Sequence, residues 1–137
     1  MRDIRSVVDT NIFISCLLKS PANLAVYHAF KEGKFTLIVS DRLLEEIKEV
    51  FRTKELKVNP LNIEELITVI GLKAITVNPR TKLNVCRDKE DNFIIETAVE
   101  AKATHIVTND KDILELKPAY KGIPILSSWE FLSLISK

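Results

Sequence analysis

Four acidic side chains, Asp9, Glu46, Asp91 and Asp110, stand at positions where a charge invites a chemical reading. Asp9 ends the apolar run Val7-Val8, and Asp110 follows the run His105-Ile106-Val107. Asp91 opens an amphipathic segment, and Glu46 lies on the border of an apolar stripe. Each has a plain alternative: Asp9 or Thr10 could simply cap the helix that follows, an acid at Asp91 suits a helix dipole, and a border glutamate is often a surface ion-pair partner. Together they suggest more. Carboxylates about 4 Å apart at an effective dielectric near 20 repel by about 4 kcal/mol per pair, so a cluster persists only when protons or cations neutralise it. Oxygen ligands without histidine or cysteine favour hard cations, Mg²⁺ or Mn²⁺. A cation so held activates water and stabilises phosphoryl charge, which points to phosphate-ester hydrolysis. Thr10, Asn11, Asp88, Thr108 and Asp112 form a second rank of neighbours.

The elements that must position these groups follow from periodicity. Ile4 to Val8 reads as a short buried strand, and Ile12 to Leu18 as a helix. Ser20-Pro21 looks like a cap and first-turn proline opening a second helix, which runs to about Lys31 and ends at Gly33. Phe35 to Val39 is β-branched and aromatic, a second strand. In the helix from Asp41 to about Thr53, Leu43, Leu44, Ile47, Val50 and Phe51 make the stripe. Glu45 and Glu49 fall opposite it, so among these acids only Glu46 can look inward. Asn62 to Glu65 resembles a capping box for a helix ending at Gly71, and Ala74 to Val77 is a third strand.

Arg80 to Lys89 is polar and basic, a loop leading into a helix from Asn92 to about Lys102. Ile94, Ile95, Ala98, Val99 and Ala101 mark its apolar face, with Asp91 centred at its start and Glu96 and Glu100 on the other side. Ala103 to Val107 is the fourth strand, and Ile113 to Leu116 a helical turn. Ile123 to Leu126 is the last strand, expected at an edge because Pro124 lacks an N–H. Ser127 and Glu130 form a capping box for a closing helix expected to bury Trp129, Phe131, Leu132 and Leu134 or Ile135. The alternation predicts an α/β fold: a three-layer α/β/α sandwich on a mostly parallel, Rossmann-like sheet of about five strands. Right-handed crossovers bring the carboxyl ends of parallel strands to one edge, where ligands bind in open α/β sheets. The acids at those ends can therefore converge.

At 137 residues the default is one domain, residues 1–137. The net charge of +1 announces neither nucleic acid nor membrane. With the four acids assigned to a cation, 20 basic side chains face 15 acidic ones, a mildly basic surface suited to a polyanion. Cys16 and Cys86 do not make a zinc spacing and read as buried thiols. No leader segment is expected before the first strand, and no apolar run reaches the roughly 18 residues of a membrane helix. A cytoplasmic location is expected. His28 and His105 read as structural, and three glycines leave no phosphate-cradling loop.

Val8-Asp9-Thr10-Asn11, Leu44-Glu45-Glu46-Ile47, Asp88-Lys89-Glu90-Asp91-Asn92-Phe93 and Ile106-Val107-Thr108-Asn109-Asp110-Lys111-Asp112 together resemble the PIN domain, a nuclease family related to flap nucleases. The likeness spans essentially the whole chain. Asp9, Glu46, Asp91 and Asp110 fall on the family's acidic positions, with Asp88 competing with Asp91 for the third. In particular the chain resembles the prokaryotic PIN proteins classed as toxins of toxin–antitoxin pairs, similar to VapC-type ribonucleases. That resemblance implies an endoribonuclease dependent on Mg²⁺ or Mn²⁺ that cuts single-stranded or structured RNA, a cognate antitoxin as inhibitor, and often a homodimer. It implies that Asp9 and Asp110 hold the principal ion, with Asp91 as a direct or water-mediated ligand. Glu46 would orient or deprotonate the attacking water, or help hold a second ion. Asn11 and Thr108 would position ligands, and Arg87, Lys89 and Lys111 are candidate phosphate contacts. A haloacid-dehalogenase-like phosphatase would want an aspartate where Asn11 stands, and a receiver domain would want adjacent acids after the first strand. The reading from another functional class is a catalytically silent PIN module that binds RNA or a protein.

Overall fold

Valine and isoleucine runs too short to cross a domain as helices form a sheet in the computed structural model, which describes residues 3–18, 20–53, 58–86 and 91–136. The strands are β1 (Arg5–Val8), β2 (Thr36–Val39), β3 (Ile75–Thr76), β4 (His105–Val107), β5 (Ala119–Tyr120) and β6 (Ile123–Leu126). The helices are α1 (Thr10–Leu17), α2 (Pro21–Lys31), α3 (Asp41–Thr53), α4 (Pro60–Lys73), α5 (Asn92–Ala101), α6 (Lys111–Leu114) and α7 (Ser128–Ile135). The sheet order is β3-β2-β1-β4-β6-β5, parallel except for the β5–β6 pair. Neighbouring strand residues point to opposite faces. Val7 with Val8, Ile38 with Val39 and Ile106 with Val107 are all buried, so both faces of the central sheet are covered, as a parallel sheet requires. Helix α5 packs across β1, β2 and β4. On α7, Phe131 meets Phe35 edge-on at 4.9 Å between ring centroids.

The order places the topological switch between β1 and β4. From β1 the chain proceeds outward through β2 and β3; from β4 it proceeds the other way. Ser6, Val7 and Val8 pair in register with His105, Ile106 and Val107. The two strands therefore deliver the residues that follow them, Asp9 and Thr108, side by side, and the Asp9 N–H donates to the Val107 carbonyl at 2.9 Å.

Several expectations are corrected. The sheet has six strands rather than about five, because Ala119–Tyr120 adds an antiparallel strand outside β6. Pro124 therefore sits opposite Ala119, one strand in from the edge. Helix α4 starts at Asn59-Pro60, not at Asn62: the Asn59 side chain accepts from the Leu61 N–H at 2.9 Å and Pro60 fills the first turn. It runs through Gly71 to Lys73 and stops where Ala74 turns extended. The third strand shrinks to two exposed residues. Trp129 is 69% exposed. It stands two residues, about 200°, from the buried Phe131 on a helix, so α7 cannot bury both.

The side of α5 carrying Glu96 and Glu100 is covered by the preceding loop. Glu96 accepts the Leu83 N–H at 2.7 Å, Glu100 accepts the Arg80 N–H at 3.1 Å, and Asn92 takes those of Val85 and Cys86. Both cysteines are buried free thiols. Among the described residues no helix is long and apolar enough to cross a membrane.

Candidate metal centre

Asp9 follows the last residue of β1 and is only 4% exposed. Its carboxylate caps α1, accepting the Asn11 N–H at 3.3 Å, and accepts the Thr108 hydroxyl at 2.8 Å. The same Thr108 oxygen accepts the Asp110 N–H at 3.0 Å. One buried hydroxyl thus ties the ends of β1 and β4 together. Asp110 caps α6 by accepting the Asp112 N–H at 2.8 Å. Asp91 precedes α5 without a capping hydrogen bond from its side chain, so the helix-cap explanation does not account for it. Instead, one carboxylate oxygen from each of Asp91, Asp110 and Asp112 lies within 4.8 Å of the others, and all three residues are half-buried.

The electrostatics match this geometry. Burial pushes the Asp9 carboxyl above its ordinary value, against the lowering hydrogen bonds from Thr108 and Asn11, and the neighbouring Asp110 charge pushes the same way as burial. Among the described residues no lysine or arginine forms an ion pair with Asp9, Asp110 or Asp112. Converging carboxylates, with no cationic partner for Asp110 or Asp112 among the described residues and with oxygen donors only, fit a hard divalent cation.

The remaining predicted residues fall as follows. Thr10 is buried, and its hydroxyl finds no hydrogen-bond partner among the described residues. Asn11 is exposed at the mouth of a cleft of about 190 Å³ beside Asp110. Glu46 is exposed on α3, in a shallow depression shared with Arg42, Glu45 and Glu49. One turn before it, the Arg42 guanidinium stacks 4.6 Å from the centre of the Phe93 ring, two residues after Asp91. Residues four apart share a helix face, so Glu46 lies on the side of α3 that reaches toward the start of α5. Lys111 is exposed between Asp110 and Asp112. Arg87, Asp88 and Lys89 lie outside the described residues, so the choice between Asp88 and Asp91 is informed only by the place of Asp91 in the carboxylate group.

Asp112, read in the sequence as a supporting neighbour, stands within that group. Its spacing from Asp110 on a helix start carried the signal: a cap and the residue whose N–H it accepts lie on the same turn. Sequence reading missed Asn23 and Ser128. Both are buried, and they hydrogen-bond to Asn109 beside the cleft. An asparagine inside an amphipathic helix and a serine in a first turn offer no distinguishing pattern.

Known proteins resemble this chain in fold or in sequence. The crystal structure of PAE2754 from Pyrobaculum aerophilum superposes with a TM-score of 0.62 over 97% of this chain and 90% of that one, at 14% identity, a likeness of fold. The uncharacterized protein MJ1680 of Methanocaldococcus jannaschii is 34% identical over 127 residues, covering 89% of this chain and 81% of its own length. Residues 5–112, the span holding the switch point and all the converging carboxylates, match the PIN domain model, and the chain belongs to the PIN domain family.

Proposed function

We propose that this chain is a Mg²⁺- or Mn²⁺-dependent endoribonuclease of the VapC type, the toxin of a toxin–antitoxin pair. The observation that carries the reading is the grouping of Asp91, Asp110 and Asp112 at the β1–β4 switch point with no cationic partner for Asp110 or Asp112 among the described residues. PIN domains are typically nucleases, and the family membership agrees with it. Asp9, Asp91 and Asp110, joined by Asp112, would hold the cation. The bound ion would supply a water of lowered pKa and charge stabilisation at the phosphoryl oxygens. Thr108 holds Asp9 and Asp110 in register, and Glu46 orients or deprotonates the attacking water. Lys111, Arg87 and Lys89 contact phosphates, giving affinity that falls with salt. A cognate antitoxin or a second copy would cover apolar surface such as Trp129, 69% exposed on α7.

Incubating the protein with mixed single-stranded RNA and DNA in Mn²⁺, Mg²⁺ or EDTA tests this. Cutting of RNA that needs the metal and drops by roughly 10²–10³-fold in Asp110→Asn, as for loss of a transition-state electrostatic group, is the expected result. Cutting of DNA alone would move the substrate class. No cutting, with no Mn²⁺-dependent rise in melting temperature, would overturn the enzyme in favour of a silent binding module.

A further inference from the structure

The turn that carries Asp110 and Asp112 is too short to hold itself. Strand β4 ends at Val107, and α6 is only four residues long, Lys111–Leu114. Helices below about 12–15 residues are marginal on their own, so the two carboxylates depend on outside anchors for their direction. Ile113 is fully buried and holds α6 against the core, but an apolar contact is non-directional. The Thr108 hydroxyl ties the turn to Asp9, another acid of the same group, so that bond fixes acids relative to each other. Asn109, between Thr108 and Asp110, ties the turn to other parts of the fold.

Asn109 is exposed, yet it spends both ends of its amide on buried partners. The Ser128 backbone N–H donates to its Oδ1 at 3.1 Å, which fixes the other end as the NH₂ group. Nδ2 donates to Ser128 Oγ at 3.0 Å and to Asn23 Oδ1 at 3.2 Å. Ser128 Oγ accepts there, so its own hydrogen goes to Asn23 Oδ1. Ser128 stands on α7 and Asn23 on α2, and those helices pack against each other. Capping of α7 accounts for one of the three bonds to Asn109. Ser127 and Glu130 already close the capping box, and the Ser128 N–H falls to Asn109. The two bonds from Nδ2 satisfy no backbone group of that helix. They lock one side-chain amide to two elements at once. We infer that Asn109 is a positioning residue of the carboxylate site: with Asn23 and Ser128 it anchors the β4–α6 turn to α2 and α7, and so sets the direction in which Asp110 and Asp112 present their oxygens. Groups behind a metal ligand fix its orientation, and losing one costs about 10–100-fold in metal affinity. The role toward a cation rests on the metal site proposed above; the anchoring of Asp110 does not.

The Asp112 N–H, which donates to Asp110 Oδ1 at 2.8 Å, reports the direction of that carboxylate without metal. Amide hydrogen exchange in EDTA and Mn²⁺ titration calorimetry are compared in the wild type, Asn109→Ala, Ser128→Ala, the double variant and Ile70→Val. Ile70 is fully buried on α4, outside the network, so trimming it destabilises the fold without touching the turn. Asn109→Ala should speed Asp112 exchange beyond that in Ile70→Val and weaken Mn²⁺ binding by about tenfold. Ser128→Ala leaves the Ser128 N–H bonded to Asn109 and should act in the same direction to a smaller degree. It should add nothing on top of Asn109→Ala, as expected of two members of one network. Melting temperatures show which variants are folded, and Ser128→Ala carries the test alone if Asn109→Ala is not. Asp112 exchange no faster than in Ile70→Val, or Mn²⁺ bound as tightly as by the wild type, would overturn the positioning role. Faster Asp112 exchange in a protein that binds no Mn²⁺ would leave the anchor standing and remove the metal site.

Discussion

Two helix starts in this molecule use a carboxylate in nearly the same local way and end with opposite electrostatics. At the switch point, Asp9 caps α1 and is buried, and its carboxyl is pushed up by burial and by Asp110. At the other, Ser127 and Glu130 form a capping box on α7, and Glu130 reaches Lys117 at 2.5 Å. There the lysine and the Ser127 N–H hold the Glu130 carboxyl down at about 2. Capping geometry alone therefore does not separate a structural acid from a functional one. Burial does, together with the lack of a counter-charge for Asp9 among the described residues. An arrangement that leaves a buried carboxylate in a strained protonation state lowers stability, and such sites are tolerated where function needs them.

The largest effect on this contrast should come from the hydroxyl that makes the buried site tenable. Thr108 Oγ1 donates to Asp9 and accepts from Asp110 N–H at once. Thr108→Val keeps the shape and removes both bonds, leaving a partly buried N–H and a buried carboxylate short of a partner. The expected cost is about 1–3 kcal/mol, read by chemical denaturation, together with weaker Mn²⁺ binding. Thr108→Ser should restore most of it. A valine variant as stable as the wild type would show that the two strand ends are held by the ladder alone.

A smaller effect of opposite sign is expected at Asp9 itself. Its folded-state pKa lies above the ordinary value of 3.8, so between those two values the native state binds more protons than the unfolded state, and stability falls as pH rises. The penalty is absent at low pH, where both states are protonated, and complete near neutrality. Asp9→Asn can still cap α1 and accept from Thr108. In EDTA at pH 7 it should be more stable than the wild type, with the difference closing as pH falls toward the ordinary carboxylate value of 3.8. Saturating Mn²⁺ should reverse the order, since a ligand at a hundred times its Kd adds about 2.7 kcal/mol to the protein that binds it. An asparagine variant less stable than the wild type at every pH without metal would mean that the aspartate is there for the cap.

What the sequence allowed one to read, and what it hid, divides along the same physical line. The carboxylates at the ends of β1 and β4 were legible because an apolar strand that stops on an acid is a local pattern, and parallel topology brings such stops to one edge. The Ser127–Glu130 box was legible for the same reason, lying within four residues. Competing local signals misled at α4, where Asn59-Pro60 outcompeted Asn62 as the cap and Gly71 was carried inside the helix. On α7 there was more apolar surface than one face can bury, and only packing against Phe35 decided for Phe131 over Trp129. The Asn23–Asn109–Ser128 network joins residues 86 and 19 positions apart, and no periodicity encodes such a meeting. For Glu46, the stripe gave its side of α3, but the exposure of that side depends on what lies across from it.

The smallest expected effect belongs to the compensated partner in the comparison. Glu130→Gln keeps an oxygen able to accept the Ser127 N–H, since glutamine also serves in capping boxes, and removes only the charge facing Lys117. A carboxyl held below its unfolded value of 4.5 contributes stability that is present above that value and is lost as pH falls toward about 2. The pair is exposed, so solvent and salt screening limit its worth to about 0.2–1 kcal/mol. The glutamine variant should therefore melt slightly below the wild type at pH 7, converge with it near pH 2, and lose the difference in about 1 M salt, where the screening length is about 3 Å. A salt-insensitive loss would show that the carboxylate acts through the cap rather than through Lys117. Glu130 would then resemble Asp9 in geometry and in cause, and the absence of a counter-charge would cease to be what distinguishes the two helix starts.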